Sequence, residues 1–311
     1  MAVVRGLPIA QESVDDLRTR VEGAVVAPGD GNYEQARRAW NLLVDQHPAV
    51  ILLAGSAADV AEGVRFARAE GLGIAVQATG HGVSLPADDC LLIVTSAMQG
   101  VTVDAEARTA RIEAGVKWGP VLEQAQQVGL APLLGSSPDV GVIGYTLGGG
   151  LGWLARKHGL AADSVRAFEV VTPDGTLRRA GNGENSDLFW ALRGGGGAFG
   201  VITAVEINLS PVTTVYGGNL FYPIEMAREV FTRYRDWVQA VPDEMTSSVL
   251  IANYPPVPEV PEFLHNRSFV QVRGCYAGPL EEGQALVEQW RDWAAPAIDV
   301  FGPMPFSQAA L

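Results

Sequence analysis

Two glycine-dense segments constrain the fold of this chain more than any other feature of its sequence. Residues 77–84 read Gln-Ala-Thr-Gly-His-Gly-Val-Ser and directly follow an apolar run. Residues 135–152 contain Gly135, Gly141 and Gly144, followed by three consecutive glycines. Loops of this composition bring backbone N–H groups close to a ligand, because glycine has no side chain to hold the ligand away. The two segments therefore predict a flat or anionic ligand gripped by backbone groups.

His81 stands between two of these glycines, immediately after a predicted strand. A histidine in a loop most often serves as a structural hydrogen-bonding group, but this position makes a functional role an equal alternative. An imidazole is also a nucleophile. The loop thus offers one group to which a ligand could be attached covalently.

The composition excludes several classes of partner. The chain has 311 residues, 48% of them hydrophobic, and a formal net charge of -13. An acidic chain repels nucleic acid and anionic membrane surfaces, so we expect neither as a partner.

No apolar run approaches the roughly 18 residues of a membrane span, and we expect a cytoplasmic protein. Cys90 and Cys275 are too few for a disulfide framework, and the four histidines lack metal-ligand spacing, so no metal site is expected.

The pattern of elements changes at Pro211. Before it, an apolar run at 49–54, a helix from Ser56 to Gly71 and a run at 72–78 predict a β-α-β unit that places the 77–84 loop at the end of a strand, where α/β folds bind ligands. After it, a strand, a helix, two strands and a helix predict an antiparallel sheet with helices on one face. We expect an α+β fold with domains at 1–210 and 211–311, the second incomplete at its C-terminus.

Common nucleotide and nucleophile motifs do not explain the glycines. Gly195, Gly197 and Gly200 match the dinucleotide fingerprint, but a helix precedes them and a strand follows, which is the reverse of the Rossmann order. No P-loop and no Gly-x-Ser-x-Gly elbow occurs.

Taken together, several ordered segments resemble the vanillyl-alcohol oxidase superfamily of FAD-binding (PCMH-type) flavoproteins, and within it the berberine bridge enzyme-like group. The segments that carry the resemblance are 74–84, 101–104, 114–119, 135–160, 162–165 and 187–203. The resemblance implies a two-subdomain PCMH-type FAD-binding domain, followed by a substrate domain that is incomplete in this chain. FAD would lie extended, with its pyrophosphate on the 77–84 loop and its isoalloxazine ring along 135–152. The cofactor-binding residues implied are Gln77, Ala78, Thr79, Gly80, His81, Gly82, Val83, Ser84, Gly135, Ser136, Ser137, Val140, Gly141, Gly144, Tyr145, Gly148, Gly149, Gly150, Gly152, Gly200, Val201 and Ile202.

The resemblance also implies how the flavin is held. His81 occupies the position at which the family bonds the flavin 8α-methyl group. Bicovalent members carry a cysteine where this chain has Ser137, and a serine cannot form the thioether, so we expect covalent attachment through His81 alone. Val140 occupies a position that influences oxygen access, and Tyr145 lies close to the ring as a candidate catalytic residue.

The function implied is an FAD-dependent oxidase that transfers a hydride from a hydroxylated or secondary-metabolite substrate to flavin N5, with dioxygen as the final acceptor. Substrate would lie on the sheet after Pro211, where the candidate lining residues Tyr216, Asn219, Tyr222 and Tyr276 fit ordinary strand packing equally well. Relatives continue past the end of this chain, so no catalytic base is assigned. If the chain is one half of a split enzyme, a complementing C-terminal fragment would be its partner. Two alternatives stay open: a non-catalytic flavin-binding fragment or pseudoenzyme, and an NADPH-using reductase of the MurB type.

Overall fold

The computed structural model describes residues 9–310, which form two compact units. The first unit contains the residues up to Val128 together with Ser137–Gly150 and Ala161–Leu209. The second contains Gly129–Ser136, Leu151–Leu160 and the chain from Ser210 onward. The division of the chain at residue 210 stays a prediction.

The helices and strands before residue 210 follow in this order: α1 (Gln11–Arg20), β1 (Ala24–Val26), α2 (Tyr33–Ala36), β2 (Val50–Leu53), α3 (Ala57–Glu70), β3 (Ile74–Gln77), β4 (Leu91–Val94), β5 (Val101–Asp104), β6 (Thr109–Glu113), α4 (Trp118–Gln127), α5 (Val142–Leu147), α6 (Ala155–His158), β7 (Val165–Val171), β8 (Leu177–Gly181), α7 (Ser186–Leu192) and β9 (Val201–Asn208). Those after it are β10 (Thr214–Pro223), α8 (Ala227–Trp237), β11 (Met245–Tyr254), β12 (Arg267–Tyr276), α9 (Leu280–Trp293), β13 (Ile298–Asp299), β14 (Gly302–Pro305) and α10 (Phe306–Ala309).

The first sheet of the first unit has the order β1-β2-β4-β3, with β2, β4 and β3 parallel. The Ser56 hydroxyl accepts a hydrogen bond from the Asp59 N–H at 3.2 Å, and Gly71 ends α3 with a φ of 68°, so the predicted cap and stop of this helix are confirmed. The two strands of the predicted β-α-β unit share this sheet, but β4 lies between them. Because β4 is buried along its whole length, it takes the interior position.

The second sheet of this unit is antiparallel, with the order β5-β6-β9-β7-β8. Its central strand β9 is apolar and almost wholly buried. Helix α1 begins at Gln11, and Ser186 is the first residue of α7. Asn185 holds the cap position with a φ of 48°, a conformation that asparagine tolerates better than most residues.

The second unit is built on the antiparallel sheet β11-β12-β10-β13, with β14 also paired to β10. Its core consists of sheet residues packed with residues of α8 and α9, so the predicted sheet with helices against it is confirmed. The core residues include Tyr216, Leu220, Tyr222, Val230, Val272, Tyr276, Val287 and Trp290. Among residues 9–310, no helix combines the length and the apolar character needed to cross a bilayer.

Candidate active site

The first unit contains a cavity of about 620 Å³ at the C-terminal end of β3. Both glycine-dense segments contribute to its wall, and β9 contributes through its first residues. The sequence-predicted residues that line it are Gln77, Ala78, Thr79, Gly80, His81, Gly82, Val83, Ser84, Val140, Gly141, Gly144, Tyr145, Gly148, Gly200, Val201 and Ile202.

Further lining residues were not predicted from the sequence. Most are apolar residues that carried no motif, together with two glycines of the 194–197 run: Ala75, Val76, Leu85, Ala87, Leu92, Ala114, Ile143, Leu147, Gly196 and Gly197. Thr95 and Gln46 are the polar additions. Gln46 donates a hydrogen bond to the Gln77 side chain at 3.0 Å, and Gln77 donates to the carbonyl of Arg38 at 2.9 Å. These bonds fix the end of β3 at the entrance to the loop.

The 77–84 loop is held against residues 39–41. The N–H of Trp40 donates to the carbonyl of Thr79 at 3.1 Å, and that of Asn41 to the carbonyl of Gly80 at 3.4 Å. Gly80 has a φ of +81°, and a Cβ atom there would lie 2.7 Å from the Cβ of Ala39. Only glycine fits both the backbone conformation and the close approach at this position.

His81 is held in place by contacts on two sides of its ring. Its ring stacks on the indole of Trp40, with centroids 4.0 Å apart and an interplanar angle of 17°. Its Nε2 atom lies 3.2 Å from Oδ2 of Asp139, whose other oxygen contacts the Lys117 ammonium. Lys117, and then His81, hold the pKa of the Asp139 carboxyl below its usual value. An ionised carboxylate favours the tautomer with the proton on Nε2, which leaves the lone pair on Nδ1.

Tyr145 lies on α5 with its hydroxyl buried and without a hydrogen-bond partner among the described residues. Its ring meets the Trp118 ring edge-on, with centroids 5.7 Å apart. Burial raises the pKa of Tyr145 to about 12, so the phenol is neutral at physiological pH. A neutral phenol can donate a hydrogen bond and is a poor base at that pH.

The last glycines of the second segment lie elsewhere. Gly149 and Gly150 do not line the cavity and form the turn behind Tyr145, where a Cβ on Gly150 would come within 2.5 Å of the tyrosine ring. Ser137 belongs to the same unit but is not a lining residue. Gly135, Ser136 and Gly152 belong to the second unit.

A cavity of about 490 Å³ lies in the second unit. Of the four residues expected to line a substrate site, only Asn219 contributes to it. Tyr216, Tyr222 and Tyr276 are buried in the core with α8 and α9, because alternate residues of a strand face opposite sides of the sheet. Their strand-packing interpretation is therefore the correct one. The cavity is lined by Ser136, Trp153, Gly218, Asn219, Gln271, Arg273, Gly274, Val300, Met304, Gln308 and Ala309.

The comparisons with known proteins agree with this geometry. Residues 48–181 match a family model described as an FAD binding domain. The chain contains the FAD-binding domain of the FAD-linked oxidoreductases. An FAD-linked oxidoreductase of Dictyostelium discoideum is 30% identical over 302 residues, covering 96% of this chain and 64% of the relative. The (R)-6-hydroxynicotine oxidase of Paenarthrobacter nicotinovorans is 36% identical over 191 residues, which cover 61% of this chain and 42% of that enzyme.

The crystal structure of 6-hydroxy-D-nicotine oxidase from Arthrobacter nicotinovorans matches with a TM-score of 0.84 and 27% identity, over 93% of this chain and 63% of that one. The resemblance found in the sequence and the α+β flavoprotein fold are thereby confirmed. FAD is the cofactor of this domain. The chain spans less than two thirds of the length of these relatives.

Proposed function

We propose that this chain carries the FAD-binding domain of an FAD-dependent oxidase that acts on a small hydroxylated or secondary-metabolite substrate and passes the electrons to dioxygen. The observation that carries the proposal is the cavity of the first unit, which brings both glycine segments, a stacked imidazole and a buried phenol to one wall. The similarity to a hydroxynicotine oxidase supports an oxidase over the non-catalytic alternative.

The residues present fit FAD. No described group accepts a hydrogen bond from the backbone N–H of Gly82 or Ser84, so both donors are available to an anionic pyrophosphate. No heavy atom lies within 4 Å of the position that a Cβ of Gly82 or Gly144 would take, which leaves open space for a flat ring system. When bound, FAD supplies a two-electron acceptor at its N5 atom.

His81 forms the covalent bond in this proposal. Asp139 holds the proton on Nε2, so Nδ1 provides the electron pair for the bond to the flavin 8α carbon. Trp40 keeps the imidazole plane fixed by stacking, so the reacting nitrogen is presented in one orientation. The 8α-methyl group would lose one C–H bond, its proton would pass to solvent, and the electron pair left on the flavin would pass to dioxygen.

Tyr145 acts as a neutral donor. Its hydroxyl is buried beside the cavity and has no acceptor among residues 9–310, so it can donate to the polar edge of the flavin ring and stabilise the negative charge that develops there on reduction. Val140 lines the same cavity, and the resemblance places it beside the route of oxygen.

Intact-mass measurement tests the attachment. We expect the wild-type chain to gain the mass of one FAD, the His81→Ala variant to gain none, and the Asp139→Asn variant to show a smaller flavinylated fraction. The matched control is His47→Ala, because His47 is exposed and does not line the cavity. A wild-type chain that carries FAD without a gain in mass would refute the covalent bond and leave the cofactor assignment intact.

Anaerobic titration tests the oxidase. Hydroxylated alkaloid and sugar substrates should bleach the bound flavin, and admission of air should restore its colour. Bound flavin that no substrate bleaches would instead favour a non-catalytic flavoprotein. Bleaching by NADPH, with full activity in His81→Ala, would favour a reductase of the MurB type.

A further inference from the structure

The cavity of the second unit contains a cation placed on a regular strand. Arg273 lies on β12 directly opposite Asn219 of β10. The neighbouring residue Val272 faces the core packed with α8 and α9, so Arg273 projects from the other side of the sheet. Arg273 is the only charged side chain among the described residues that line this cavity.

Within the part of the chain that the structure describes, the guanidinium of Arg273 lacks a counter-ion. Burial lowers its pKa, and no carboxylate of the described residues acts in the opposite direction. No Asp or Glu within residues 9–310 forms an ion pair with it. Arg291 in the same unit, by contrast, contacts the carboxylates of Glu288 and Asp299. A half-buried cation without a partner is costly unless something else neutralises it.

Neighbouring groups orient this cation without neutralising it. The guanidinium carbon lies 4.9 Å from the centre of the Trp153 ring, a cation–π contact that fixes the guanidinium position. Gln271, two residues away on the same strand, donates to the hydroxyl of Tyr254. The side-chain amide of Asn219 has no hydrogen-bond partner among the described residues. The Asn219 amide and the Arg273 guanidinium are thus two donor groups that line the same cavity.

We propose that this cavity binds a carboxylate group of the substrate, with Arg273 as the anion-binding residue and Asn219 as a second donor. The planar fork of a guanidinium matches the two oxygens of a carboxylate. At about 490 Å³ the cavity also has room for an organic body against Val300 and Met304. The identity of this ligand as the molecule oxidised rests on the proposed function, whereas the carboxylate site itself does not.

The chain's net charge of -13 gives this site a specific role. Long-range repulsion disfavours anions, but salt screens it beyond about 8 Å at physiological ionic strength. A half-buried guanidinium therefore acts at short range and selects organic acids that also fill the apolar part of the cavity.

Ligand-observed fluorine NMR on the whole chain tests the site, with para-fluorobenzoate as the probe and para-fluorobenzamide as its neutral counterpart. We expect the acid to bind and the amide to bind much more weakly. Arg273→Gln should weaken binding of the acid about tenfold or more, and Arg273→Lys less, because an ammonium keeps the charge but loses the fork. Arg267→Gln is the matched control, since Arg267 lies on the same strand, also stacks on an aromatic ring and does not line the cavity.

Three results would overturn the proposal: equal binding of acid and amide, unchanged binding in Arg273→Gln, or displacement of the acid by an equal concentration of inorganic phosphate. If Arg273→Gln does not fold, Arg273→Lys and the acid–amide pair on the wild type decide the question. Flavin absorbance of the same samples separates the two proposals. If the purified chain binds the acid but contains no flavin, the proposed cofactor role alone is refuted. If it contains flavin but does not bind the acid, the carboxylate site alone is refuted.

Discussion

Substitution of Gly80 by alanine should damage the cavity of the first unit, while the same substitution at Gly82 should not damage the fold. Gly80 has a φ of +81°, and the left-handed conformation costs a residue with a Cβ about 1–2 kcal/mol. The new Cβ would also lie 2.7–2.8 Å from three atoms of Ala39 and Trp40, two of them backbone, where contacts below 3.0 Å force something to shift. Overpacking of this kind costs about 1–3 kcal/mol.

The two contributions together predict a loss of about 2–5 kcal/mol in the free energy of unfolding for Gly80→Ala. Gly82 has no heavy atom within 4 Å of its Cβ position and no left-handed φ, so Gly82→Ala should change that free energy by less than about 0.5 kcal/mol. Because Trp40 stacks on His81, displacing residues 39–40 should also reduce the flavinylated fraction of Gly80→Ala.

Urea denaturation of both variants, with intact-mass measurement of bound flavin, checks this prediction. If Gly80→Ala is as stable as the wild type, or if both variants lose the same stability, the argument from close approach is wrong. A Gly82→Ala variant with normal stability but little flavin would mean something different. It would show that the cofactor comes within contact distance of that glycine.

Three other outcomes follow from the site and its surroundings. Gly150→Ala should slow flavin reduction in stopped-flow measurements, because its Cβ would press on the ring of Tyr145 at 2.5 Å, while Gly183→Ala, with a similar φ but no close neighbour, should not. Tyr145→Phe should leave the melting temperature unchanged or higher, since its buried hydroxyl lacks a partner within the described residues, yet it should slow reduction of the flavin about tenfold. Burial lowers the pKa of His158 below 6.5, so the unfolded chain binds the proton more readily, and melting temperatures should fall as pH drops below about 6.5, a slope that His158→Leu should reduce.

The part of the first unit's cavity formed by residues 77–84 follows from the sequence because that part of the wall is local. The loop after β3 follows its strand directly, and glycines in such a loop have few explanations other than close approach. No sequence pattern around Trp40 or Asp139 indicates that either residue contacts His81. Each reaches His81 by a long-range contact, across about forty and sixty residues of chain.

The glycines at the end of the second segment illustrate a different limit. A run of three glycines indicates close approach but not the group approached. Gly148 meets the cavity, whereas Gly150 makes room for the ring of Tyr145 and for Ala161. The sequence predicts that some group approaches these glycines closely. Which group approaches each glycine depends on the path of the chain through the turn.

In the second unit the sequence indicates strands but not which face each residue occupies. An aromatic residue on these strands fits the helix-covered core and a substrate surface equally well. In the structure Tyr216, Tyr222 and Tyr276 lie in the core. Asn219 and Arg273 share the opposite face, as their pairing across β10 and β12 requires. The same face becomes apolar at Phe221, two residues from Asn219, and at Phe269, four residues from Arg273, and these two rings pack edge to face.

Gln271 connects this apolar region with the second cavity, because it is one of the residues that line the cavity. Gln271 stands between the two regions, opposite Phe221, and its amide donates to the hydroxyl of Tyr254, which itself packs on Phe269. The aromatic cluster therefore orients Gln271 at the border of the cavity. The guanidinium of Arg273 contacts the ring of Trp153 instead. In the proposed site, Arg273 would select a ligand by its charge, and the apolar side chains of Val300 and Met304 would select it by the length of its apolar part.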